Sequence, residues 1–81
     1  MIVRITKRAE KELDALAPTI RAKIWKQIRA LETPHYPKGS VKLKGTDDIF
    51  RIRVGKYRIL YVPNKSQITI MRIRHRKDVY R

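Results

Sequence analysis

The sequence predicts an α+β domain of order β-α-α-β-β-β(β), with two N-terminal helices packed on an antiparallel sheet. Apolar residues recur every three or four positions through the first third of the chain, which is the period of a helix. From Val41 onward the pattern changes to strand-like runs separated by "GTDD", "GK" and "PNKSQ". A chain of 81 residues has room for one modest core, so residues 1–81 read as a single domain.

The opening "MIVRIT" sets Val3 and Ile5 against Ile2, Arg4 and Thr6, a short first strand. Thr6 suits the N-cap of a helix over "KRAEKELDAL", in which Ala9, Leu13 and Leu16 share one face. Pro18 fits the first turn of a second helix, whose stripe is Ile20, Ile24, Ile28 and Leu31, with Trp25 beside it. Stripes at this spacing are usually core. Lys23, Lys26 and Arg29 line the outer side, where they are either solvated or in contact with phosphates. "TPHYPKGS" reads as a loop and His35 within it as a surface residue; Asp47 and Asp48 read as turn residues. Strands are expected at Val41 to Lys44, Ile49 to Val54, Tyr57 to Val62 and Ile68 to His75.

Charge narrows the partner. Lys and Arg number 21 against 7 Asp and Glu, a net charge of +14, which points to a polyanion and first to nucleic acid. No stretch approaches the ~18 apolar residues of a spanning helix, and "MIVRITKRAEKEL" lacks the apolar run of a secretory signal, so a cytoplasmic location is expected. The absence of cysteine rules out disulfides and thiolate chemistry, and two histidines offer little to a metal; no metal or other cofactor is expected.

A register follows from the turns. A two-residue turn at Gly55 and Lys56 sets Arg53 opposite Arg58 and Ile52 opposite Ile59. Closing "PNKSQ" as a symmetric five-residue loop would set Arg58 opposite Arg72. One face would then carry Phe50, Ile52, Val54, Tyr57, Ile59, Tyr61, Met71 and Ile73 as core. The other would align Arg53, Arg58 and Arg72, with Arg51 and Arg74 nearby and an apolar end from Leu60 to Ile70 as a docking surface. Opposed like charges are unfavourable in a sheet. Such a ladder either splays into water or grips an anion, and guanidinium forks fit phosphate oxygens.

"IFRIRVGKYRILY" followed by "ITIMRIRHRKDVYR" resembles the RelE branch of the RelE/ParE toxins of prokaryotic toxin–antitoxin systems, over essentially the whole chain. The resemblance implies a ribosome-dependent endoribonuclease, an mRNA interferase that cuts messenger RNA in the A site without metal and so inhibits translation. It implies that Arg58 stabilises the scissile phosphate, that Arg74 is a second catalytic arginine, and that Tyr80 stacks on a base or moves a proton. Arg51 and Arg53 stand where RelE has lysines; with Arg72, Arg76 and Lys77 they form the expected RNA-binding set. The general base and acid stay open among Tyr80, His75 and a cation. Clustered cations would lower the phenol pKa of Tyr80, whose alternative role is a C-terminal anchor, and His75 points toward the core face.

The implied partners are mRNA on the ribosome, with 16S rRNA contacts, and an acidic or amphipathic RelB-like antitoxin. Two other functions remain open: a ParE-like inhibitor of DNA gyrase, and a non-catalytic RNA-binding module.

Overall fold

The computed structural model describes residues 2–32, 41–42, 49–64, 66–75 and 77. Its elements are β1 (Ile2–Ile5), α1 (Lys7–Asp14), α2 (Pro18–Ala30), β2 (Val41–Lys42), β3 (Phe50–Val54), β4 (Tyr57–Pro63) and β5 (Gln67–His75). The strands form one sheet in the order β1-β5-β4-β3-β2. The β2–β5 meander is antiparallel as expected, and β1 adds to it in parallel beside β5, so the sheet is mixed.

Thr6 caps α1 in the expected way, its hydroxyl oxygen accepting from Ala9 N at 3.1 Å. The same hydroxyl donates to Met71 O at 3.1 Å, and Thr6 N donates to Ile70 O, which ties the start of the helix to β5. Pro18 starts α2, where the missing amide hydrogen costs nothing. Ala9 and Leu13 of α1, with Ile24, Ile28 and Leu31 of the α2 segment, pack on Ile52, Ile59, Tyr61, Ile68, Ile70 and Ile73 of the sheet. Each large side chain buried this way stabilises the fold by about 1.5–3 kcal/mol before entropy is counted.

The β3–β4 register is the expected one, with Val54 opposite Tyr57, Arg53 opposite Arg58 and Phe50 opposite Tyr61. Gly55 has φ +59° and no described non-glycine residue has positive φ, which matches a II′ turn.

The β4–β5 register differs from the expected one, for two separable reasons. Asn64 Oδ1 accepts from Ser66 N and Gln67 N, and Asn64 N donates to Gln67 O. This side-chain turn tightens the connection so that Pro63 pairs with Ile68, which turns Ile68 and Ile70 into the core. A bulge then leaves Met71 without a cross-strand partner, between the pairs Tyr61–Ile70 and Leu60–Arg72. The bulge restores the original alternation for the rest of β5. Arg74, not Arg72, therefore faces Arg58, and Met71 is exposed instead of core. The apolar docking surface expected from Leu60 to Ile70 does not exist as drawn, because Ile68 and Ile70 are buried.

Candidate nucleic-acid interface

The sheet face opposite the helices carries two rows of side chains. Arg53, Arg58 and Arg74 form one row across β3, β4 and β5; Arg51, Leu60 and Arg72 form the next. Arg58 sits at the centre and is 3% exposed, the one buried charged residue among those described. Arg53 at the rim is exposed, and Arg51 and Arg74 are half-buried.

A buried guanidinium flanked by two others works against folding, since burial penalises charge and like charges opposed across strands repel. Violations of this kind concentrate at functional sites. The row presents several N–H donors on rigid strands, a geometry suited to an oxyanion or phosphate.

Arg72 is held differently. Its Nε donates to both carboxylate oxygens of Glu12 on α1, at 3.0 and 3.2 Å, and its Nη2 to Oε2 at 2.8 Å. Glu12 Oε1 also accepts from Ile73 N at 3.0 Å. Nothing in the sequence spacing links Glu12 to Arg72, 60 positions away. The Arg53–Arg58–Arg72 ladder is thus replaced by Arg53–Arg58–Arg74, with Arg72 engaged by a carboxylate.

Burial raises the Glu12 carboxyl pKa, but the Arg72 hydrogen bonds, the Ile73 N–H and the charges of Arg72 and Arg74 outweigh this and hold it below its ordinary value. A depressed carboxyl contributes stability that is fully present above its unfolded pKa and is lost as pH falls through the folded one. In thermal melts across pH, Glu12→Gln is expected to lie below the wild type by about 1–3 kcal/mol at neutral pH. The gap is expected to close as acid protonates Glu12.

His75 Nδ1 accepts from Lys77 N at 3.1 Å, and its ring meets Tyr57 edge-on with centroids 5.1 Å apart. The imidazole is engaged in packing on the Tyr57 side, as its strand position implied. Lys77 is exposed. Arg76 and Tyr80 lie outside the described residues.

A second feature, not foreseen from the sequence, is a groove of about 700 Å³ between β1 and α2. Val3, Ile5, Ala22, Trp25 and Ile28 form its apolar lining, with Lys26, Arg29 and Glu32 also at its walls. Trp25 is 38% exposed and Ile2, nearby on β1, is 61% exposed. The helical period marked Trp25 as lying off the main stripe; that β1 would run beside it is a product of the sheet order.

A two-helix layer on a mixed sheet with an arginine-rich outer face defines a small basic α+β domain suited to a polyanion. Residues 3–80 match the family described as "ParE toxin of type II toxin-antitoxin system, parDE". The chain is 36% identical over 84 residues to the RelE1 protein of Methanocaldococcus jannaschii, covering 98% of this chain and 93% of that one. It superposes on RelE in the RelB–RelE antitoxin–toxin complex from Methanococcus jannaschii with a TM-score of 0.82 and 30% identity, over 95% of this chain and 94% of that one. On the isolated E. coli RelE toxin the TM-score is 0.75 with 27% identity, over 98% and 89%. The chain belongs to the RelE/ParE toxin superfamily and is a RelE-like member of it.

Proposed function

We propose that this chain is a cytoplasmic, ribosome-dependent endoribonuclease that cleaves messenger RNA in the A site and so arrests translation. The observation that carries this reading is the Arg53–Arg58–Arg74 row with Arg58 buried at its centre. In RNA the nucleophile is supplied by the substrate. The 2′-oxygen attacks the adjacent phosphorus, the bond to the 5′-oxygen breaks, and a 2′,3′-cyclic phosphate and a 5′-hydroxyl result. One proton leaves the 2′-hydroxyl and one reaches the departing 5′-oxygen, while charge grows on the non-bridging oxygens.

Arg58 and Arg74 stabilise that charge, and Arg51 and Arg53 steer the flanking phosphates. Tyr80, from the family resemblance, stacks on a base or transfers a proton. The ribosome positions the messenger and offers phosphates to the diffuse positive charge of the chain.

The test is to supply the purified protein to translating ribosomes and to map messenger ends by primer extension. New ends confined to A-site codons are expected. The match to the ParE description favours one second reading: intact messenger together with inhibited DNA supercoiling by gyrase would select it.

Crystal structures of RelB–RelE complexes that this chain resembles support a RelB-like antitoxin as its partner. The β1–α2 groove suits an acidic amphipathic segment of it, whose apolar side would cover Trp25 and whose carboxylates would meet Lys26 and Arg29. Trp25 is the single tryptophan, so its emission reports on the groove directly. Titration with the antitoxin is expected to shift that emission to the blue. Trp25→Ala is expected to weaken binding by about 2–3 kcal/mol, the usual loss at an aromatic anchor.

A further inference from the structure

We propose that Glu12 is a positioning residue for the Arg58–Arg74 pair: its carboxylate stands in for a missing strand at the edge of β5 and fixes the register that brings the two arginines together. The inference rests on the nuclease reading for its effect on rate and on geometry alone for its effect on register.

β1 covers the outer edge of β5 only from Gln67 to Ile70. Thr6 extends that cover by one residue through Ile70 O and Met71 O. Past the bulge the edge would be open, and there Glu12 Oε1 takes the Ile73 amide that a neighbouring strand would otherwise take. The same carboxylate grips the Arg72 fork from the adjoining residue. Two consecutive residues of β5 are thereby fastened to α1, directly after Met71, where the ladder changes phase.

The consequence reaches the arginine row. Ile73 faces Ile59, and the next pair is Arg74 with Arg58. Repulsion between those guanidinium groups works against this pairing, while Ile59 and Ile73, buried on the other face, hold the alternation next to it. An anchor at residues 72 and 73 reinforces that hold from the far side of β5. It also places one negative charge beside a row of cations.

The test uses the full chain, wild type against Glu12→Ala and the near-isosteric Glu12→Gln, with two readouts. Nuclear Overhauser contacts between the Arg58 and Arg74 backbones, with hydrogen exchange of the Ile73 amide, report register without reference to activity. Single-turnover cleavage on programmed ribosomes reports its use. Glu12→Ala is expected to lose the Arg58–Arg74 contact and the Ile73 protection, and to slow cleavage about 10²-fold at saturation, as small misplacements do. The loss is expected mainly in the rate at saturation and less in the apparent KM, because Arg51, Arg53 and the diffuse positive charge of the chain are unchanged. Glu12→Gln retains an acceptor for the Ile73 amide and is expected to recover that protection and part of the rate. If Glu12→Ala fails to fold, Arg72→Lys, which breaks the fork that holds the carboxylate, carries the same comparison and is expected to loosen residues 72–74 relative to the rest of the sheet. Retention of the Arg58–Arg74 contact and of Ile73 protection in Glu12→Ala, or in Arg72→Lys where the alanine variant does not fold, would overturn the proposal. Absence of cleavage by the wild type would overturn the nuclease reading, and the register measurements would still decide the role of Glu12.

Discussion

Arg58→Ala is expected to reduce A-site cleavage by about 10²–10³-fold, the usual loss when one preorganised donor to a developing oxyanion is removed. Arg58 is the member of the row set opposite both other arginines, Arg53 on one side and Arg74 on the other, and it is the most deeply buried of them. Low exposure gives its charge a lower effective dielectric than a surface arginine enjoys, so each hydrogen bond to phosphate is worth more. Arg58→Lys keeps the charge but loses the planar fork and is expected to fall between the wild type and alanine. The single-turnover rate on programmed ribosomes separates the three.

Arg58→Met keeps the aliphatic bulk but not the planar fork, and is expected to cleave as poorly as alanine per folded molecule, whatever its melting temperature. A residue retained only for structure would show the opposite, a large drop in melting temperature with cleavage kept in the surviving folded fraction.

Much of the framework could be read from the residues because short-range chemistry fixes it. Thr6 caps, Pro18 starts a helix, and Gly55 with Lys56 closes a hairpin that admits one register, so the Arg53–Arg58 pair follows by counting. The position of Arg74 does not follow by counting. It depends on the Asn64 side chain shortening a loop and on a bulge at Met71, each worth one residue of phase. Neither has a sequence signal comparable to Gly55, since Asn in a turn is common and a bulge is chosen by the tertiary contacts around it. Those contacts are long-range: Thr6 with Met71, and Glu12 with Arg72 and Ile73. Alternation alone sent Ile68 and Ile70 to the outer face; two successive phase changes put them in the core and returned Arg72 and Arg74 to the outside.

The same strand that offers Arg58 outward anchors the fold inward, and Tyr61→Ala is expected to show how separate these duties are. Tyr61 is fully buried on β4, opposite Phe50 and Ile70, with its ring stacked on Phe50 at 5.7 Å. Removing it leaves a cavity between sheet and helices that neighbouring backbone cannot fill, at a cost of about 3–5 kcal/mol. Domains of this size have roughly 5–10 kcal/mol in total, so a large share of the stability would be lost. A loss of that size lowers the melting temperature of such a domain by about 12–40 °C, measured by calorimetry or circular dichroism. Tyr61→Phe keeps the ring and its stacking and is expected to lose no more than about 1.5 kcal/mol, the usual worth of one hydroxyl hydrogen bond. At a temperature where Tyr61→Ala is still folded, its cleavage rate per folded molecule is expected to stay well above that of Arg58→Ala. Three residues apart on β4, one side chain holds the sheet to the helices and the other belongs to the arginine row, because alternation and cross-strand pairing assign them to opposite faces of the same sheet.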